Sequence, residues 1–159
     1  MSTLQNSPRI TPFLWFDQNA EEAVDFYLSV FKNSRRFDKL ASPSQTTVQK
    51  GKVLIINFEL DGQRFTALNG GPNYKFNKAI SFFVRCENQE EIDHYWSRLT
   101  EGGKEVQCGW LEDKFGLSWQ IVPANISELI KTPKGMEAMM KMVKLDIAEL
   151  ERANNTQPE

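Results

Sequence analysis

Apolar positions recur with a helical period in two stretches. From Asn19, the residues Ala23, Phe26, Tyr27 and Val30 fall on one face, and from Asn88 the residues Ile92, Tyr95, Trp96 and Leu99 repeat that spacing. Each stretch opens alike, as Asn19-Ala20-Glu21-Glu22 and Asn88-Gln89-Glu90-Glu91. The carboxylates sit in the first turn, where the helix dipole favours them, and either Asn can cap. At the same shift upstream, Ile10 to Phe16 lies opposite Ala79 to Arg85, both rich in strand-forming aromatic and aliphatic residues. The chain therefore reads as two copies of one unit, each beginning strand then helix.

Strand patterns follow both helices. In the first copy they are Arg35 to Ala41, Lys52 to Leu60 and, after the turn Asp61-Gly62, Gln63 to Asn69. In the second, Lys104 to Glu112 is strand-like, with the earlier strand of this copy harder to separate, and the turn Asp113 to Gly116 and the strand Leu117 to Pro123 follow. Aligning Gly62 with Gly116 sets Phe65 against Trp119 and Thr66 against Gln120. The link Gly70 to Lys78 has the Gly, Pro and Asn of a connection. Beyond Pro123 a short helix is predicted before Pro133. Met136, Met139, Met140, Val143, Ile147 and Leu150 then form one continuous amphipathic stripe. That helix suits packing on its own domain or a second subunit, or a lid over a pocket. The fold class is α+β: two tandem β-α-β-β-β modules and a C-terminal amphipathic helix. One domain spans 8–124, with modules at about 9–70 and 78–123, then a helical extension, 125–153, and a tail, 154–159.

Composition narrows the chemistry. The 159 residues are 40% hydrophobic and 25% charged, as in one ordinary domain with a real core. Nineteen Lys and Arg against 21 Asp and Glu leave a net charge of −2 with no basic block, which argues against nucleic acid as a partner. Apolar runs such as Val53 to Ile56 fall far short of a membrane span, and "MSTLQNSPRI" lacks a signal-peptide core; the expected location is cytoplasmic. Cys86 and Cys108 have no metal-ligand spacing and read as buried small hydrophobes.

Four stretches, "ITPFLWFDQNAEEAVDFY", "ALNGGP", "AISFFVRCENQEEIDHYW" and "CGWLEDKFGLSWQIVP", resemble the PhnB-like branch of the vicinal oxygen chelate superfamily, the glyoxalase, bleomycin-resistance and dioxygenase group. Members of this branch are often labelled demethylubiquinone methyltransferase family proteins. The resemblance runs from about Pro8 to Leu150. It implies modules whose strands curl into a barrel-like mixed sheet around a cavity, helices outside, and a homodimer.

The superfamily's enzymes hold a divalent metal at the starts of the module-opening strands and on the module-closing strands. Carried over, these positions fall within Ile10 to Pro12, within Ala79 to Ser81, and at Thr66 and Gln120. None is His, Asp, Glu or Cys, so no metal is expected. The single histidine, His94, sits between stripe residues, where it is expected to face solvent. The label also implies S-adenosylmethionine, but Leu68 to Pro72 is the nearest glycine-rich stretch and leads to a strand rather than a helix. No cofactor is therefore assigned. No G-x-S-x-G elbow, Cys-His pair or inward pair of carboxylates offers a nucleophile, and Glu112 and Asp113 read as a solvated hairpin tip.

A pocket remains. Alternation that turns Thr66 and Gln120 inward also turns in Leu68, Val122, Ser81 and Phe83, with Phe65 and Trp119 under the helices and Asn69 and Trp110 at a rim. The ligand-pocket candidates are thus Thr66, Leu68, Asn69, Ser81, Phe83, Trp110 and Gln120. Three function classes stay open. One is a metal-free protein that binds a small molecule. A second is an enzyme, either a metal-dependent lyase, isomerase or dioxygenase or a demethylubiquinone-type methyltransferase. The third is a structural dimer whose aromatics fill the cavity.

Overall fold

A computed structural model describes residues 5–156, so expectations for the first four and last three residues lie outside it. The chain divides into two compact units, one up to Lys75 and one from Phe76. The first contains β1 (Phe13–Phe16), α1 (Ala20–Val30), β2 (Arg35–Ala41), β3 (Val53–Leu60) and β4 (Gln63–Asn69). Its sheet runs β1-β4-β3-β2, with β1 parallel to β4 and the other pairs antiparallel. Asp61 and Gly62 both take positive φ, at 45° and 86°. This two-residue turn matches the strand twist and fixes the register from Leu60↔Gln63 back to Ile55↔Leu68. One sheet face meets α1: Ala23, Val24 and Tyr27 of the helix are buried, as are Ile56, Phe58, Phe65 and Ala67 of the strands. Phe58 and Phe65 stack at 5.4 Å.

The second unit repeats the plan with β5 (Ser81–Cys86), α2 (Gln89–Leu99), β6 (Lys104–Glu105), β7 (Trp110–Glu112) and β8 (Ser118–Pro123), ordered β5-β8-β7-β6. The predicted α+β class with two β-α-β-β-β modules is what forms, as two four-stranded mixed sheets. The stretch Lys104 to Glu112, in which the sequence does not separate the earlier strand, divides into β6 and β7, which pair with each other, because Cys108 (φ 61°) and Gly109 (φ 83°) turn the chain through left-handed backbone.

The expected helix caps differ as well. Asn88 accepts the Glu91 amide at 2.9 Å, but the Asn19 side chain makes no cap bond. Its place is taken from across the module by Asn69, whose Oδ1 accepts the Ala20 amide at 2.9 Å while Nδ2 donates to the Val53 carbonyl at 3.0 Å.

The extension holds α3 (Ile126–Leu129), α4 (Pro133–Lys141) and α5 (Ile147–Asn154). The continuous C-terminal helix is thus corrected to two. Met142 is extended (φ −85°, ψ 154°), and the carbonyls of Met142 and Val143 accept the amides of Cys108 and Gly109 at 2.8 Å, so this stretch bonds to the β6–β7 turn instead of to its own helix. Asp146 then caps α5 by accepting the Glu149 amide at 3.0 Å. Of the predicted stripe only Leu150 is buried, with Met139 and Ile147 packed against its core and Met136 and Met140 exposed; the two helices share a core of Val122, Leu129, Met142, Leu145 and Leu150. The extension therefore packs on its own unit. No helix among the described residues is long and apolar enough to cross a membrane.

Candidate functional site

The second unit gathers four of the seven predicted site residues. Ser81 and Phe83 of β5, Gln120 of β8 and Trp110 of β7 share one face, because Phe83 and Trp110 both register with Gln120 and side chains alternate along each strand. The opposite face carries Leu111, Trp119 and Ile121 into the core beneath α2. On the open face Phe83 is 55% exposed, an unusual state for a phenyl ring in mid-strand. Beside it Gln120 donates from Nε2 to the Ser81 hydroxyl at 2.9 Å. Ser81 spends an acceptor position on that bond and keeps its own O–H to donate. Next in the row, the Ser118 hydroxyl is buried and has no hydrogen-bond partner among the described residues. The result is an aromatic floor, Phe83 and Trp110, with an amide and a hydroxyl fixed between.

The solvated hairpin tip is a correction. Asp113 is 3% exposed: Oδ1 accepts the amides of Phe115 (2.8 Å) and Leu117 (3.1 Å), and Oδ2 accepts the indole N–H of Trp119 at 2.9 Å. Glu112 is half-buried and paired with Lys78 at 3.4 Å. Both are structural. The signal for Asp113 was present in the sequence, since an Asp three residues before a turn glycine is placed to bond the backbone of its own turn.

In the first unit the predicted residues separate. Thr66 and Leu68 lie on the face away from α1, whereas Asn69 points to the other face as the helix cap just described. Asn69 also lines a polar cleft of about 450 Å³ with Gln18, Thr47 and Lys52. Thr66 is 1% exposed, and its hydroxyl donates to Asn57 Oδ1 at 2.7 Å; Asn57 Nδ2 in turn donates to Asp38 at 2.9 Å. Its polar group is committed to the protein. Asn57 was missed, although a two-residue Asp-Gly turn places it directly opposite Thr66. Trp15 was missed too. Its indole N–H donates to the Gly71 carbonyl at 2.9 Å and its ring lies on Gly70, where an added Cβ would come within 2.4 Å. The glycines of Leu68 to Pro72 thus make room for an indole, and the segment leads on to β5 rather than into a helix.

Neither implied cofactor fits the residues present. The carried-over metal positions offer the buried Thr66 hydroxyl, the Gln120 amide and no imidazole, thiolate or carboxylate. No cluster of three or more His, Cys, Asp and Glu is gathered among the described residues. A glycine pair spaced by an indole and followed by a strand is not the strand-to-helix loop that cradles a nucleotide-type cofactor. His94 is exposed on α2, as expected. Cys86 is buried, and burial, reinforced by the charge of Glu91, pushes its thiol up to about 12. Cys108, expected to be buried, is only partly so, because it sits in the left-handed turn.

The model of the 3-demethylubiquinone-9 3-methyltransferase family matches residues 8–122. The chain belongs to this family. The PhnB protein of Bacillus cereus is 34% identical, with 74% of this chain covering 100% of that one at a TM-score of 0.67. Protein PA1353 of Pseudomonas aeruginosa (22% identity, 74% and 98% coverage, TM-score 0.61) and the fosfomycin resistance protein FosX of Listeria monocytogenes share the fold. The FosX structure, complexed with manganese and sulfate, is 15% identical over 79% and 96% of the chains, with a TM-score of 0.53. No match was found among curated proteins. The PhnB-like resemblance is thereby established, the likeness to FosX is one of fold, and the helical extension lies beyond the family match.

Proposed function

We propose that this protein binds a small molecule without a metal: an apolar, ring-sized ligand carrying one hydrogen-bonding oxygen, held on the open face of β5, β8 and β7. The observation that carries the proposal is the exposed Phe83 ring beside a Gln120–Ser81 pair already locked at 2.9 Å. Apolar walls with a few fixed polar groups are what such a site requires, and the pair needs little reordering on binding. A single 8–124 domain acting in the cytoplasm as a homodimer is part of the same proposal. The family name suggests methyl transfer, but the glycines that would serve that chemistry are occupied by Trp15.

Native mass spectrometry of protein purified without additives tests this directly. We expect a dimer retaining a small organic mass, with loss of that mass in Gln120→Ala and Phe83→Ala. Stoichiometric zinc, nickel, manganese or iron would overturn the metal-free proposal. A melting shift with S-adenosylmethionine of the size mass action requires would favour the methyltransferase instead.

A further inference from the structure

On β8 the open face of the second sheet is covered at one end, while on β5 it runs on through the exposed Arg85, which registers with Val122. Along β8, Gln120 and Val122 point to the same side, two residues and about 7 Å apart. At Gln120 the face is open, with its neighbour Phe83 55% exposed, yet Val122 is 4% exposed. What covers Val122 is the extension: Met142, Leu145, Leu129 and Leu150 bury it. The same segment is seated from two other directions. The Met142 and Val143 carbonyls hold the amides of Cys108 and Gly109, immediately before Trp110, and Leu145 lies so close to Gly109 that an added Cβ would come within 3.0 Å of it. From the far side Gln89 accepts the Ile147 amide at 2.9 Å and donates to the Leu145 carbonyl at 3.0 Å.

At one end of this face stand Ser81 and the Glu112–Lys78 pair, and in the middle lie Phe83, Gln120 and Trp110; at the other end an apolar wall covers Val122 on β8, flanked on β5 by the exposed Arg85 that registers with it. We infer that the extension is a length gauge for the ligand: Val122, Met142 and Leu145 form an end wall that stops the apolar part of a molecule whose oxygen is held by Gln120 and Ser81. The inference rests on the proposed function of that face and adds to it a specificity element of which Met142 and Leu145 lie beyond the family match, which ends at residue 122. The ligand class follows. It is a compact ring or short-chain molecule with its polar group at one end, and it extends no more than about 7 Å beyond the amide.

A series of para-alkylphenols, from methyl to octyl, tests it on the full chain by isothermal titration. Wild type should bind the short members and lose at least tenfold in affinity once the chain passes the wall. Met142→Ala should move that cutoff to longer chains, and Met142→Phe should move it to shorter ones. Opposite shifts from one position cannot come from general loss of stability, and circular dichroism melting checks that both variants fold. Gln120→Ala should weaken every member of the series by a similar factor and leave the cutoff where it was. If wild type binds the phenols and both Met142 variants keep its cutoff, the length gauge is wrong while the binding face stands. If no phenol binds wild type, the proposed function itself fails and the gauge with it.

Discussion

Trp119 donates its indole N–H to Asp113 Oδ2 at 2.9 Å, closing the turn between β7 and β8 from the inside. Two backbone amides, those of Phe115 and Leu117, share the other carboxylate oxygen. The turn is thus built around a buried acceptor. Removing it takes the acceptor from three donors, two of those bonds being buried, and losing the partner of a buried donor costs about 1–3 kcal/mol. Asp113→Ala should lose about 2 kcal/mol or more in urea unfolding. Asp113→Asn should also lose stability, since one carboxylate oxygen becomes an N–H₂ facing a donor. Trp119→Phe, which removes one donor and keeps the acceptor, should cost less than either. A double-mutant cycle giving no coupling between the two residues would contradict this account.

The cap of α1 comes from β4. Asn69→Ala removes both the bond to the Ala20 amide and the bond to the Val53 carbonyl, so it should cost about 1–2 kcal/mol, whereas Asn19→Ala should change stability by no more than a few tenths. Paired chemical denaturation of the two variants decides the matter. Equal costs would return the cap to Asn19.

Asn19 and Asn69 also mark where the sequence stops being readable. Helix stripes and the Asp61-Gly62 turn are local signals, and the modules they define are the ones observed. Which Asn caps α1 depends on the end of a strand fifty residues away, and no local pattern records it. The break at Met142 is hidden for a related reason: the helical period runs on through it, and only the carbonyl bonds to Cys108 and Gly109 show that the chain has left the helix. Of the candidate site, Gln120, Ser81, Phe83 and Trp110 could be read because alternation along β5 and β8 sets their common face. The Asp38–Asn57 bond could not, since irregular register between Arg36 and Lys39 shifts β2 against β3.

The two thiols should behave differently. Cys86 keeps its proton to about pH 12, chiefly through burial, against an ordinary value of 9.0. In the native protein iodoacetamide should therefore modify Cys108 first and reach Cys86 only after unfolding. A linkage follows with a definite sign. Above pH 9.0 the unfolded chain releases this proton while the folded chain holds it, so stability present below 9.0 declines as pH rises toward about 12. Cys86→Ala should flatten that alkaline decline. A slope identical to wild type would show that other groups cause it.

Asp93 ties α2 to the extension. Its carboxylate accepts from Lys144 at 2.7 Å and from Gln89 at 3.1 Å, and these two bonds, Lys144 first, hold its pKa below the ordinary 3.8. Because the folded value is depressed, the stabilisation is present above pH 3.8 and is lost as pH falls through the folded value. The site is solvent-exposed, so the contribution is modest and screened by salt. Its effect should be local. Gln89, which Asp93 orients, also accepts the Ile147 amide at the start of α5. Asp93→Asn removes the charge attracting Lys144, so at neutral pH it should raise hydrogen exchange at Ile147 and Leu150 while leaving the amides of β8 unchanged. Added salt should reduce the difference between variant and wild type. Exchange that rises equally across the whole unit would mean that the pair supports global stability instead of seating the extension. Exchange unchanged at Ile147 would mean that Gln89 holds the segment unaided.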